Sequence, residues 1–153
     1  MANTYTQLYT HYVFAVQNRT SLVTENWKDQ LYKYINGIIQ QNGHKTFAIN
    51  GMTDHIHILI SMNPKQSSSD LVYNIKRSSS LWINENRLVT GKFSWQEGFG
   101  AFSYAKSQIP KIARYIENQQ QHHKKRTFHE EYIEFLEAFG IEYDERYIFK
   151  SIE

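Results

Sequence analysis

The chain has 153 residues, a formal net charge of +2, and 41% hydrophobic and 15% aromatic residues, which suits one domain, over residues 1–153, with one sizeable core. The absence of cysteine excludes disulfides, thiol catalysis and Cys-ligated zinc, and it suits a reducing compartment. No apolar run approaches a bilayer span, and Met1-Ala2-Asn3-Thr4-Tyr5 has neither the charged region nor the apolar core of a secretory signal, so a soluble, cytoplasmic protein without membrane contact is expected.

In chain order, Tyr5 to Val16 is a Thr-, Tyr- and Val-rich run that predicts a strand. Thr24 reads as an N-cap, Trp27, Leu31, Ile35, Ile38 and Ile39 follow at helical spacing, and Asn42-Gly43 supplies the C-cap. A second strand, about Thr46 to Asn50, leads to a turn at Gly51, and a third runs to about Met62, where Pro64 ends it. Ser67 to Asp70 opens a helix with Leu71, Ile75, Ser78 or Ser79 and Trp82 as its buried stripe. Phe93 to Tyr104 is aromatic and glycine-bearing, a loop feeding a strand. Ser107 caps a helix reaching about His123. Thr127 and Glu130 form a capping box for a last helix, with Tyr132, Phe135, Leu136 and Phe139 on its apolar face and Gly140 at its end. The tail from Tyr143 to Glu153 fits no single element. This β-α-β-β-α-β-α-α order, with short connections, predicts an α+β fold: an antiparallel sheet with packed helices, of ferredoxin-like type.

The chemistry begins in the third strand, Asp54-His55-Ile56-His57-Ile58-Leu59-Ile60. Strand side chains alternate faces, so His55 and His57 point the same way while Ile56, Ile58 and Ile60 anchor the opposite side. Two neutral imidazoles one strand repeat apart can converge on a divalent metal, although two ligands are too few to hold it. Chance alone can supply such a triplet, and the plain alternative is a pair of histidines on a half-solvated face.

The helix ending near His123 adds the missing groups. Ile109, Ile112, Ala113 and Ile116 form its buried stripe; Gln119 lies at one margin, with Tyr115 and His122 just outside. Tyr115 and Gln119 are i and i+4 neighbours. A phenol and a carboxamide at a buried edge suit a nucleophile and a metal ligand, whereas the plain reading is a tyrosine that packs its ring and wets its hydroxyl. Asp54 reads as a turn residue, Glu117 faces away from Gln119, and His11 and His44 read as structural.

The segment Asp54 to Ile60 resembles the HUH motif (His-hydrophobic-His) of the single-tyrosine insertion-sequence transposases. Trp95-Gln96-Glu97-Gly98-Phe99-Gly100-Ala101-Phe102-Ser103 and Tyr115-Ile116-Glu117-Asn118-Gln119-Gln120-Gln121-His122-His123 resemble that family's two later signatures, and His11 to Arg19 resembles its first strand. The resemblance spans nearly the whole chain; Thr53 departs from it, standing where members often have proline.

The resemblance implies that Tyr115 is the nucleophile and that His55, His57 and Gln119 bind a divalent metal, Mg²⁺ or Mn²⁺; His122 or His123 could take the place of Gln119. It implies metal-dependent cleavage and rejoining of single-stranded DNA through a 5′-phosphotyrosine, recognition of DNA hairpins, and a homodimer. Lys76, Arg77, Lys124, Lys125 and Arg126 are candidate DNA contacts, with a solvated face or a cationic helix end as their plain reading. The competing functions are a host-adapted endonuclease that processes palindromes, a hairpin-binding module without catalysis, and a metal-dependent phosphohydrolase on small nucleotides.

Overall fold

Four strands pair into one sheet, and the two at its centre carry the longest runs of β-branched and aromatic residues. The computed structural model describes residues 4–20 and 22–148. Its elements are β1 (Tyr9–Ala15), α1 (Lys28–Gln41), β2 (Lys45–Met52), β3 (His55–Ser61), α2 (Ser68–Glu85), β4 (Gly100–Tyr104), α3 (Ile109–Glu117), α4 (Gln119–His122), α5 (Phe128–Ala138) and α6 (Glu145–Ile148). The sheet order is β2-β3-β1-β4, every pair antiparallel. This is the α+β sandwich expected of the β-α-β-β-α-β order.

Period-two alternation gives the sheet two different faces. Ile56, Ile58 and Ile60 point to one side, where they join Tyr12 and Phe14 and pack under Leu31, Ile35 and Ile39 of α1 and Leu71 and Ile75 of α2. The other face carries His55, His57, Leu59, His11, Val13 and Ala15. It is covered by Ile109 and Ile116 of α3 on one half and by Phe128, Tyr132 and Leu136 of α5 on the other. Because β3 is central and covered on both sides, its histidines are almost fully buried.

Several boundaries differ from the sequence reading, each for a local reason. The first strand begins at Tyr9, the first residue with partners on both sides (Ser61 and Tyr104), and Tyr5 is exposed. The first helix begins at Lys28: the Thr24 carbonyl accepts from the amides of Trp27 and Lys28 before regular helix sets in. Gly51 is not a turn but a paired residue of β2 opposite Ile56; a Cβ there would lie 2.2 Å from the His55 carbonyl oxygen. The turn falls at Thr53-Asp54. Gly43, in contrast, has φ +86° and closes α1 beside its C-cap Asn42, as expected. Residues 149–153 of the tail, and residues 1–3 of the N-terminal segment, lie outside the described residues.

The helix expected from Ser107 to His123 is two helices. The chain enters through a turn of 3₁₀ helix in which the Gln108 side chain accepts from the Ala105 amide, and Pro110 occupies the first turn of α3. At Asn118 (φ −99°, ψ 25°) α3 ends and α4 begins. Asn50 of β2, directly opposite His57, holds this step: its Nδ2 donates to the carbonyls of Ile116 and Glu117, both at 3.0 Å. Those are carbonyls a terminating helix leaves without intrahelical partners. Gln120 Nε2 returns a bond to the Gly51 carbonyl at 3.1 Å.

Candidate active site

His55 and His57 face the side of the sheet that α3 and α5 cover, and a partner occupies the Nδ1 of each. His55 Nδ1 lies 2.7 Å from Asp54 Oδ1, and His57 Nδ1 lies 2.8 Å from His11 Nε2. With Nδ1 engaged, each ring is oriented and presents Nε2 to the space between β3, α4 and α5. The His55 ring also stacks on Phe128 at the start of α5, with centroids 3.7 Å apart.

A carboxylate that the sequence reading passed over fills that space. Glu131 of α5 has no exposed surface. Its Oε1 lies 3.1 Å from His57 Nε2, 3.3 Å from His123 Nε2 and 3.7 Å from His55 Nε2. Its Oε2 accepts from the Tyr115 hydroxyl and, at 3.2 Å, from Gln119 Nε2. The Gln119 Oε1 lies 3.3 Å from His55 Nε2 and 3.1 Å from His123 Nε2. Gln119 is therefore wholly buried, deeper than its expected place at the margin of the helix stripe, because it lies past the step at Asn118.

Burial alone would raise the Glu131 carboxyl, but hydrogen bonds from His123 and His57 outweigh it and hold the group well below the usual carboxylate range. The His57 imidazole is pushed down, chiefly by burial, so the neutral ring is favoured. The Tyr115 phenol is pushed up, first by burial and then by the negative charge of Glu131. Arg126 Nη2 donates to the Tyr115 oxygen at 2.9 Å and opposes that rise, and the same guanidinium also pairs with Glu134. A cavity of about 230 Å³ opens beside the phenol, lined in part by Lys111, Ile112, Arg126, Glu131 and Phe135. His122 stacks on the Tyr115 ring at 4.4 Å rather than entering the cluster.

Tyr115, His55, His57 and Gln119 are thus brought together within one chain, and His123, the alternative ligand, is among them. The candidate DNA contacts separate. Lys124 and Lys125 are exposed just past α4, Arg126 is turned into the site, and Arg77 is exposed on α2, across the sheet. Lys76 turns inward: its ammonium donates to the carbonyls of Gln96 and Gly98 at 2.7 and 2.6 Å and lies over the Phe14 ring. Of the residues missed, Glu131 had a legible signal. Phe128, Glu131, Tyr132 and Phe135 recur at i, i+3, i+4 and i+7, so the carboxylate interrupts an apolar stripe. His11, read as structural, and Asp54, read as a turn residue, are the Nδ1 partners of the two histidines. His44 does prove structural, held between Gln66 Oε1 at 2.6 Å and the Asn63 amide at 2.8 Å. Glu117 is exposed, as expected.

Comparison with known proteins gives a consistent picture. The model of the family described as "Transposase IS200 like" matches residues 4–119. The ISDra2 transposase TnpA of Deinococcus radiodurans is 26% identical over 118 residues, 74% of this chain and 84% of that protein. Two solved structures share the fold. One is a candidate transposase from Deinococcus radiodurans R1 (TM-score 0.63, 23% identity, 78% of this chain and 95% of that one). The other is a REP-associated tyrosine transposase bound to a REP hairpin (TM-score 0.61, 14% identity, 100% of this chain and 96% of that one). Among the described residues no helix is long and apolar enough to cross a membrane.

Proposed function

The chain belongs to the family of IS200-like transposases, and from that premise we propose that it cuts and rejoins single-stranded DNA through a covalent bond to Tyr115. One observation carries the reading: the Tyr115 hydroxyl and the Nε2 atoms of His55 and His57 converge on a single buried carboxylate.

Tyr115 Oη attacks the phosphorus of a phosphodiester. The O–P bond forms, the bond to the 3′-oxygen breaks, and the electron pair leaves with that oxygen, which takes a proton from water and departs as a 3′-hydroxyl. The phenolic proton is released to solvent water, while Glu131 Oε2, which accepts the hydrogen bond of the hydroxyl, fixes the position of the attacking oxygen. Arg126 stabilises negative charge as it grows on the phenolic oxygen. Aryl oxide leaves more readily than alkoxide, so a 3′-hydroxyl can later attack the 5′-phosphotyrosine and rejoin strands without a further energy source.

The donor set fits a divalent ion: His55 and His57, with an oxygen of Gln119 or Glu131, would hold Mg²⁺ or Mn²⁺, which when bound supplies Lewis-acid activation of the phosphate. Lys111 and Arg126 at the cavity, with Lys124 and Lys125 outside it, give the backbone of the strand cationic partners. DNA hairpins are the proposed recognition element, as in the structural neighbour solved on one. A homodimer belongs to the proposal, with each tyrosine acting at the histidines of its own chain.

The test is to incubate the chain with Mn²⁺ and single-stranded DNA taken from either side of its gene, then to seek a denaturant-resistant protein–DNA adduct. The wild type should form it and Tyr115→Phe should not, while hairpin binding persists in both. Hairpin binding by the wild type with no adduct would replace this reading with that of a binding module.

A further inference from the structure

The two carbonyls that Asn50 engages lie between the site residues of the tyrosine helix. Ile116 and Glu117 follow Tyr115 and precede Gln119, and Asn50 Nδ2 lies 3.0 Å from the carbonyl oxygen of each. In an unbroken α-helix those oxygens would accept from the amides of Gln120 and Gln121. The Gln121 amide donates instead to the Asn118 carbonyl at 3.0 Å, so a side chain of β2 stands in for helix bonds that the step gives up. Gln120 closes the clamp from the other side: its Nε2 donates to the Gly51 carbonyl at 3.1 Å and to Asn50 Oδ1 at 3.3 Å. The clamp sits beside the histidine strand, because Asn50 pairs with His57 and Gly51 with Ile56.

The step decides what Gln119 reaches. With the helix carried straight on, Gln119 would lie about 40° round the axis from Tyr115, at the margin of the buried stripe. Beyond the step it is wholly buried. Its Nε2 lies 3.2 Å from Glu131 Oε2, the atom that also accepts from the Tyr115 hydroxyl, and its Oε1 lies 3.3 Å from His55 Nε2. Helix continuation and the clamp compete for the same two carbonyls, so the donor on Asn50 selects the buried Gln119 over the marginal one. From this geometry, and resting on the strand-cutting reading above, we propose that Asn50 is a positioning residue of the active site: it holds the break at Asn118 and thereby seats Gln119 and Tyr115 on one carboxylate oxygen, in register with His57. Without that donor the helix's own amides meet the carbonyls of Ile116 and Glu117, the tyrosine helix runs on through Asn118, and Gln119 swings out to the margin.

The test compares the parent with Asn50→Ala and with Asn50→Asp, which keeps the shape but puts an acceptor where the donor stood. In the DNA-free chain, NMR should show the Asn118 Cα shift moving toward its helical value in both variants. Hydrogen exchange should slow at the backbone amides of Gln120 and Gln121 and quicken at the Gln119 side-chain amide. With Mn²⁺ and saturating single-stranded DNA from either side of the gene, adduct formation should slow by about tenfold to a hundredfold, as expected when reacting groups are misplaced by about 1 Å. The DNA concentration giving half the maximal rate should change by about twofold or less, since binding itself is spared. Gln120→Ala, which leaves both carbonyls with Asn50, should slow the reaction by about threefold or less, the effect of losing weak single hydrogen bonds. The proposal is overturned by adduct formation at the parent's rate in both Asn50 variants, or by slower formation with shifts and exchange at Asn118–Gln121 unchanged, as a general loss of stability would give. Should the parent itself form no adduct, the strand-cutting reading falls and the NMR comparison alone decides: a non-helical Asn118 with a protected Gln119 amide in both variants overturns the clamp.

Discussion

At the scale of single residues, the site depends on close backbone approach as much as on side-chain chemistry. Gly51 lets β2 pass so near His55 that a methyl group would collide with the His55 carbonyl. Gly51→Ala should therefore lower stability by about 1–3 kcal/mol, the usual cost of overpacking, measured by denaturant unfolding; a variant as stable as the parent would show that β2 can move. The sequence made His55 and His57 legible because strand alternation alone puts them on one face. It made their Nδ1 partners illegible. His11 reaches His57 only through the β1–β3 register, in which Val13 pairs with His57 and His11 sits diagonally across. Glu131 was hidden differently: beside Glu130 in a helix start, it looks like one more acid placed to suit the helix dipole, until its neighbours in the apolar stripe are counted with it.

At the scale of elements, α5 is the piece that joins Tyr115 to the histidines, and its N-terminus sets its seat. Thr127 Oγ1 accepts from the Glu130 amide at 3.2 Å while Glu130 Oε1 accepts from the Thr127 amide at 3.1 Å. Thr127→Ala should cost about 1 kcal/mol in thermal or denaturant unfolding, and an unchanged midpoint would mean that packing of Phe128 and Tyr132 alone fixes the helix. This box was readable from Thr127 and Glu130, as was the Ser67 cap of α2, since both are local patterns. The step between α3 and α4 was not, because the carbonyls it exposes are met by Asn50, a residue of β2 distant in sequence. Lys76 was beyond reach for the same reason: its carbonyl partners lie in the loop before β4. Burial, only partly offset by Glu97, lowers the Lys76 ammonium to about 8 from an ordinary value of 10.5. Between those two pH values the unfolded chain binds more protons than the folded one, so this group makes stability rise with pH across that window. The difference in stability between the parent and Lys76→Met should trace that slope from pH 8 to 10.5, and a flat difference would place the ammonium in solvent.

At the scale of the whole molecule, the sheet is a partition. One face carries the core under α1 and α2, and the other holds the histidines under α3, α4 and α5. The order of elements was enough to predict the antiparallel sheet and its helical cover, because short connections leave few topologies open. What the order did not reveal is that the site is closed by the part of the chain beyond the family match. Residues 4–119 carry the two histidines, Tyr115 and Gln119, while the carboxylate and arginine that touch the tyrosine come after them. The proposed reaction requires a tyrosine acting beside its own histidines, and among the described residues Tyr115 is the one that donates to the carboxylate beside them. Peptide mapping by mass spectrometry of the covalent adduct, formed on single-stranded DNA and digested with protease and nuclease, tests this most directly. The account predicts a single phosphonucleotide-modified peptide containing Tyr115; modification at another tyrosine, or none in an active preparation, would contradict it.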